Sequence, residues 1–135
     1  MRDIDKIIIH CSATPEGRDI SAATIDKWHK ERGWSGIGYH YVVSLDGTIE
    51  YGRDIKKTGA HVKGHNTGSI GICYIGGCDD KMNAKDTRTD EQKESLLLLI
   101  KTLKKMHPVA EVFGHRDFST KACPSFDAKK EYKDA

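Results

Sequence analysis

No stretch of this chain is long and apolar enough to cross a bilayer; the longest apolar run, Leu96 to Ile100, sits inside an amphipathic pattern. Net charge is also scarce: 22 basic against 20 acidic side chains leave a formal +2, which gives no electrostatic argument for nucleic acid or an anionic membrane. The N-terminus, Met1 to Lys6, enters a strand-like run without a signal-peptide core. The chain is therefore expected to be made in, and first to stay in, the cytoplasm. There the four cysteines, Cys11, Cys73, Cys78 and Cys123, are expected as thiols. They include no C-x-x-C pair, which argues against a structural zinc knuckle. Internal repeats and interdomain linkers are missing too, so the 135 residues are expected to form one domain, 1–135.

What is present alternates between strand and helix signals. Lys6-Ile7-Ile8-Ile9-His10 is a β-branched run expected as a strand buried on both faces. Ser21 can cap a helix over about 22–32, with Ile25, Trp28 and His29 on one face, and Gly33 stops it. A strand over 37–44 turns at Asp46-Gly47 and returns as Thr48 to Gly52, a hairpin. Ser69 to Gly77 is a further buried strand, whose glycines suggest close approach by a neighbouring backbone or ligand. Thr89 and Gln92 form a capping box that opens a helix to about Met106, with Leu96, Leu99, Ile100 and Leu103 facing the core and Pro108 barring continuation. Ala110 to Gly114 is a short strand delivering His115. The expected class is α/β, a single mixed central sheet flanked by helices.

Two strand ends, after Ile9 and after Gly114, thus each present a histidine, and Cys123 lies eight residues beyond His115 on the same loop. Two imidazoles and a thiolate satisfy a tetrahedral zinc site except for one open position, as catalytic zinc requires. Water in that position has its pKa lowered toward neutrality, and this donor set favours zinc over magnesium or calcium. Spacing alone does not single out these residues, because the sequence holds seven histidines. His61 and His65, in the loop Gly59 to Asn66, could bind metal, contact a ligand or be solvated, and a loop position favours a non-metal role for either.

A set of ordered motifs then narrows the choice. His10-Cys11-Ser12-Ala13-Thr14, Trp28-His29-Lys30, Gly33-Trp34, Gly38-Tyr39-His40, Asp46-Gly47-Thr48, Gly59-Ala60-His61, Asn66, Ser69-Ile70-Gly71-Ile72 and Lys121-Ala122-Cys123-Pro124-Ser125-Phe126 follow one another along the chain. In this order they closely resemble the zinc-dependent N-acetylmuramoyl-L-alanine amidases of the peptidoglycan-recognition-protein fold, and most of all the short amidase-type lysozymes of bacteriophages. The resemblance runs from about Ile7 to Asp127.

The resemblance implies one Zn2+ per chain on His10, His115 and Cys123, with Tyr39 and Lys121 as catalytic residues. It implies hydrolysis of the amide joining the lactyl group of N-acetylmuramic acid to L-alanine in peptidoglycan. His61 and Asn66 fall where the family has a groove loop and are expected to contact substrate; Asp117 is expected either to orient His115 or to form an ion pair with Arg116 or a neighbour. An N-terminal extension with which some phage relatives bind RNA polymerase has no counterpart here, which argues against that partner. The remaining expectations are a monomer without a separate cell-wall-binding domain, acting on the wall after holin-dependent release. The alternative is a non-catalytic peptidoglycan-binding module of the same fold; purely recognising members typically lack the cysteine. A cytosolic metal-buffering or redox protein would leave Tyr39 and Lys121 without a task.

Overall fold

The computed structural model describes residues 2–135, so Met1 lies outside it. The inner strand β1 (Lys6–Cys11) has Ile7, Ile8 and Ile9 fully buried. A strand with neighbours on both edges and helices over both faces has no polar side to present, which is why the run is continuously apolar. It pairs in parallel with β5 (Ser69–Tyr74) on one edge and with β7 (Glu111–Gly114) on the other. Beyond β5 come β3 (Tyr41–Val43), also parallel, and β4 (Ile49–Tyr51), antiparallel to β3. The order is β4-β3-β5-β1-β7, a mixed five-stranded sheet. The hairpin turns where expected: Gly47 takes φ +87° and Asp46 Oδ1 accepts from the Thr48 amide at 2.9 Å.

One face of the sheet is covered by α2 (Asp90–Met106), whose Leu96, Leu99, Ile100 and Leu103 pack with Ile7, Ile9, Ile70 and Ile72. Both capping-box bonds form, Gln92 N to Thr89 Oγ1 at 3.1 Å and Thr89 N to Gln92 Oε1 at 2.9 Å. Gln92 is itself fully buried and donates to the Val43 and Ile75 carbonyls, so the cap also ties the helix to the sheet. On the other face α1 (Ala22–Glu31), capped by Ser21, buries Ala22 and Ile25 against Val42, Cys73 and Ile75, with Trp28 half-buried beside them.

Three local features differ from the sequence expectation. The strand predicted over 37–44 is regular only from Tyr41 to Val43. Before that, the carbonyls turn to loops, with Tyr39 O and His40 O accepting from Arg53 N and Gly52 N and Gly38 O accepting from Ala60 N, while His40 N still donates to Gly71 O of β5. Gly38 runs so close to the Ala60 carbonyl that a β-carbon would clash there. A second, two-stranded sheet pairs β2 (Thr14–Pro15) with β6 (Gly77–Cys78), and a short helix α3 (Ala128–Glu131) follows Asp127.

Candidate active site

Register explains why two histidines meet. Ile9 of β1 stands opposite Gly114 of β7, so His10 and His115 leave the carboxyl edge of adjacent parallel strands together. Ligands of open α/β sheets sit at this edge. Their ring centroids are 4.8 Å apart. His115 opens a 3-10 turn (His115–Asp117), and the chain then curls back: Arg116 N donates to Cys123 O at 2.7 Å. Cys123 Sγ arrives 3.2 Å from the Cys11 amide and 4.0 Å from His10 Nδ1. One donor atom from each of His10, His115 and Cys123 lies within 4.8 Å of the others. Zinc bonds of about 2.0–2.3 Å need donor separations of roughly 3.5 Å in a tetrahedron, so small side-chain rotations would gather the three.

The electrostatics suit metal ligation. His10 is fully buried, and burial, then His61, His115 and Lys121, hold its imidazole well below its usual value. Burial and Lys121 lower His115 in the same direction. Both rings are therefore neutral, the form that offers a lone pair. The hydrogen bond with Cys11, together with burial, raises the Cys123 thiol; a divalent cation beside it would reverse that preference. Tyr39 comes to the same place, its ring 5.0 Å from that of His10 and 5.5 Å from that of His29. Burial raises its phenol well above the usual range, so the O–H stays protonated and can donate.

Beside the donors opens a cleft of about 530 Å³, lined among others by Trp34, Val62, Asn66, His115, Phe118 and Lys121. Lys121 is exposed on its wall, near enough to the imidazoles to lower both. Apolar walls with two lysines, Lys63 and Lys121, and no acidic side chain suit an elongated ligand carrying carboxylates. A larger hollow, about 800 Å³, lies beyond the β7 edge among Lys104, Glu111 and Lys130; the convergent His and Cys atoms are not there, so the chemistry belongs to the smaller cleft.

The remaining predicted residues take more specific places. Asn66 lines the cleft, but its Oδ1 is engaged, accepting from the His61 and Val62 amides at 2.8 and 2.9 Å. His61 borders the cleft with only 8% of its surface exposed, its Nδ1 2.8 Å from His10 Nε2. Asp117 makes no hydrogen bond to the His115 ring. Its Oδ2 accepts from Gly114 N at 2.8 Å, closing the turn that carries His115, while Arg116 faces Asp127 at 3.9 Å. Two cleft-lining aromatics had no role assigned from the sequence: Trp34, which appears only within a motif, and Phe118. Phe118 stacks on His65 at 4.2 Å between ring centroids.

Comparison with known proteins gives the family. A family profile described as N-acetylmuramoyl-L-alanine amidase matches residues 1–126. An endolysin of Klebsiella phage KP32 is 43% identical over 129 residues, 96% of this chain and 85% of that protein. An endolysin of Escherichia phage T7 is 44% identical over 126 residues, 93% of this chain and 83% of that protein. Among solved structures, N-acetylmuramoyl-L-alanine amidase LysC from Clostridium intestinale URNW superposes with a TM-score of 0.83 at 30% identity, over 97% of this chain and 83% of that one. With its mixed sheet, its His/His/Cys edge and these relatives, the chain belongs to the N-acetylmuramoyl-L-alanine amidase family and is a peptidoglycan-hydrolysing enzyme.

Proposed function

We propose that His10, His115 and Cys123 hold one zinc ion per chain and that Tyr39 and Lys121 carry out amide hydrolysis around it. The observation that carries this reading is the convergence of two neutral imidazoles and a thiol within 4.8 Å at the carboxyl edge of the sheet. The donor set fits zinc: nitrogen and sulfur, three ligands, and a cleft on the remaining side. Zinc bound there would supply a Lewis acid and lower the pKa of water toward neutrality.

The protein's own groups do the rest. The cleft seats the muramyl peptide with its lactyl carbonyl toward His115. As the carbonyl carbon becomes tetrahedral, negative charge collects on its oxygen. The Lys121 ammonium stabilises that charge, a contribution of about 3–4 kcal/mol for such a donor. Tyr39, protonated, either orients the attacking water or gives its proton to the departing L-alanine nitrogen. The C–N bond breaks, leaving a lactyl carboxylate and a free amino terminus.

The wider reading is one catalytic domain over 1–135, monomeric, made in the cytoplasm and acting on the cell wall after holin-dependent release. The test is direct: purified protein added to peptidoglycan releases L-alanine amino termini, a chelator stops it, and zinc restores it. Release that continues at full rate in chelator would overturn the zinc assignment.

A further inference from the structure

We infer that His61, backed by Ser69, is a positioning residue that fixes the tautomer of His10 and so aims its Nδ1 lone pair at Cys123 and His115. This rests on the zinc reading above.

The direction of each proton follows from the end of a hydrogen-bond chain. The Asn66 carbonyl can only accept, and Ser69 Oγ donates to it at 3.1 Å. The Ser69 oxygen then accepts from His61 Nε2 at 3.2 Å. A neutral imidazole that donates from Nε2 must accept at Nδ1. Accordingly His61 Nδ1, 2.8 Å away, accepts from His10 Nε2. That proton leaves His10 Nδ1 as the bare nitrogen, and Nδ1 is the atom 4.0 Å from Cys123 Sγ. Histidine ligands are commonly fixed in this way through their second nitrogen; here the fixing group is a second, non-ligating histidine.

The surrounding backbone is shaped around the His61 ring. A β-carbon on Gly71 would stand 2.7 Å from His61 Cγ and Cδ2, and one on Gly59 would stand 2.6 Å from Cδ2. A glycine inside the central strand β5 weakens it, so the ring occupies space opened at some cost to the sheet. Asn66 completes the frame by holding the His61 amide. Ser69 and His10, on either side of His61, are both fully buried, which shields its two ring contacts from solvent.

The test compares His61→Phe, which keeps the ring shape but cannot accept, with His61→Gln, whose Oε1 can. Zinc affinity is measured by competition with a chromophoric chelator. The expected result is a 10- to 100-fold loss in His61→Phe, the usual effect of losing such a partner, with most of it restored in His61→Gln. Equal affinity in wild type and His61→Phe would overturn the inference, as would equal losses in both variants, which would mark a packing role. On zinc-loaded wild type, nitrogen-15 correlation spectra should show His61 and His10 protonated at Nε2; an Nδ1-protonated His61 would also overturn it. A wild-type protein that binds no zinc would instead sink the metal reading.

Discussion

Removing Arg88 should cost the fold several kcal/mol, about what its contacts add up to. Its side chain is 2% exposed, although it carries a charge. Nη1 donates to Glu131 Oε2 at 2.6 Å and to the Tyr132 hydroxyl at 2.9 Å; Nε and Nη2 hold Asp86 at 2.9 Å, and the guanidinium lies 3.5 Å from the Phe126 ring centroid. In Arg88→Met the buried Tyr132 hydroxyl loses that donor, about 1–3 kcal/mol. The cation–π contact removes about 1–2 more. Asp86 and Glu131 side chains, 34% and 45% exposed, can rehydrate, so each ion pair adds only about 0.5–1 kcal/mol. The total, about 3–7 kcal/mol, overlaps the roughly 3–5 kcal/mol that breaking a buried ion pair usually costs. Because Phe126 and Tyr132 anchor the segment following Cys123, the loss should also loosen the third ligand. Urea denaturation at pH 7 measures the first effect and zinc affinity the second. Burial alone would raise Asp86, but its Arg88 bonds outweigh this and lower it; the Arg88 bond likewise lowers Glu131. The ion-pair contribution is therefore complete above the unfolded carboxyl values near 4 and fades as the pH falls below them. A loss under about 1 kcal/mol at pH 7 would refute this reasoning.

Other perturbations have equally definite outcomes. Lys121→Ala should keep its zinc while kcat falls about 10²- to 10³-fold; loss of the metal would show a structural lysine. Thr89→Ala should lower stability by about 1 kcal/mol in urea denaturation, because one capping-box bond disappears. Burial lowers His29 and His40, and each uses Nδ1 to accept a backbone amide, from Gly38 and from Gly71. Protons are then taken up more readily by the unfolded chain, so stability should fall from pH 7 to pH 5 as the pH drops through the unfolded imidazole value near 6.5. A flat urea midpoint over that interval would contradict the assignment.

The elements whose signals are local were legible in the sequence: the Ile7–Ile9 strand, the Asp46-Gly47 turn and the Thr89/Gln92 cap each contain their own physical cause. His10 and His115 were legible as strand-end residues, but their adjacency depends on the Ile9–Gly114 register, which no single segment encodes. The role of His61 was hidden for the same reason, since its partners His10 and Ser69 lie on other elements. For Asp117 the sequence left two roles open, orienting His115 or an ion pair with Arg116 or a neighbour; its carboxylate instead takes the backbone amide of Gly114, a contact that no side-chain pattern announces. β2 and β6, two residues each, are too short to carry a periodic signal.

Metal content measured alongside mass spectrometry of digested muropeptides tests most directly whether a His10/His115/Cys123 zinc site drives amide cleavage. One zinc per wild-type chain is expected, with products cut between the lactyl group and L-alanine, and Cys123→Ser should lose both metal and products. Unchanged turnover in Cys123→Ser, or cleavage at another bond, would contradict it.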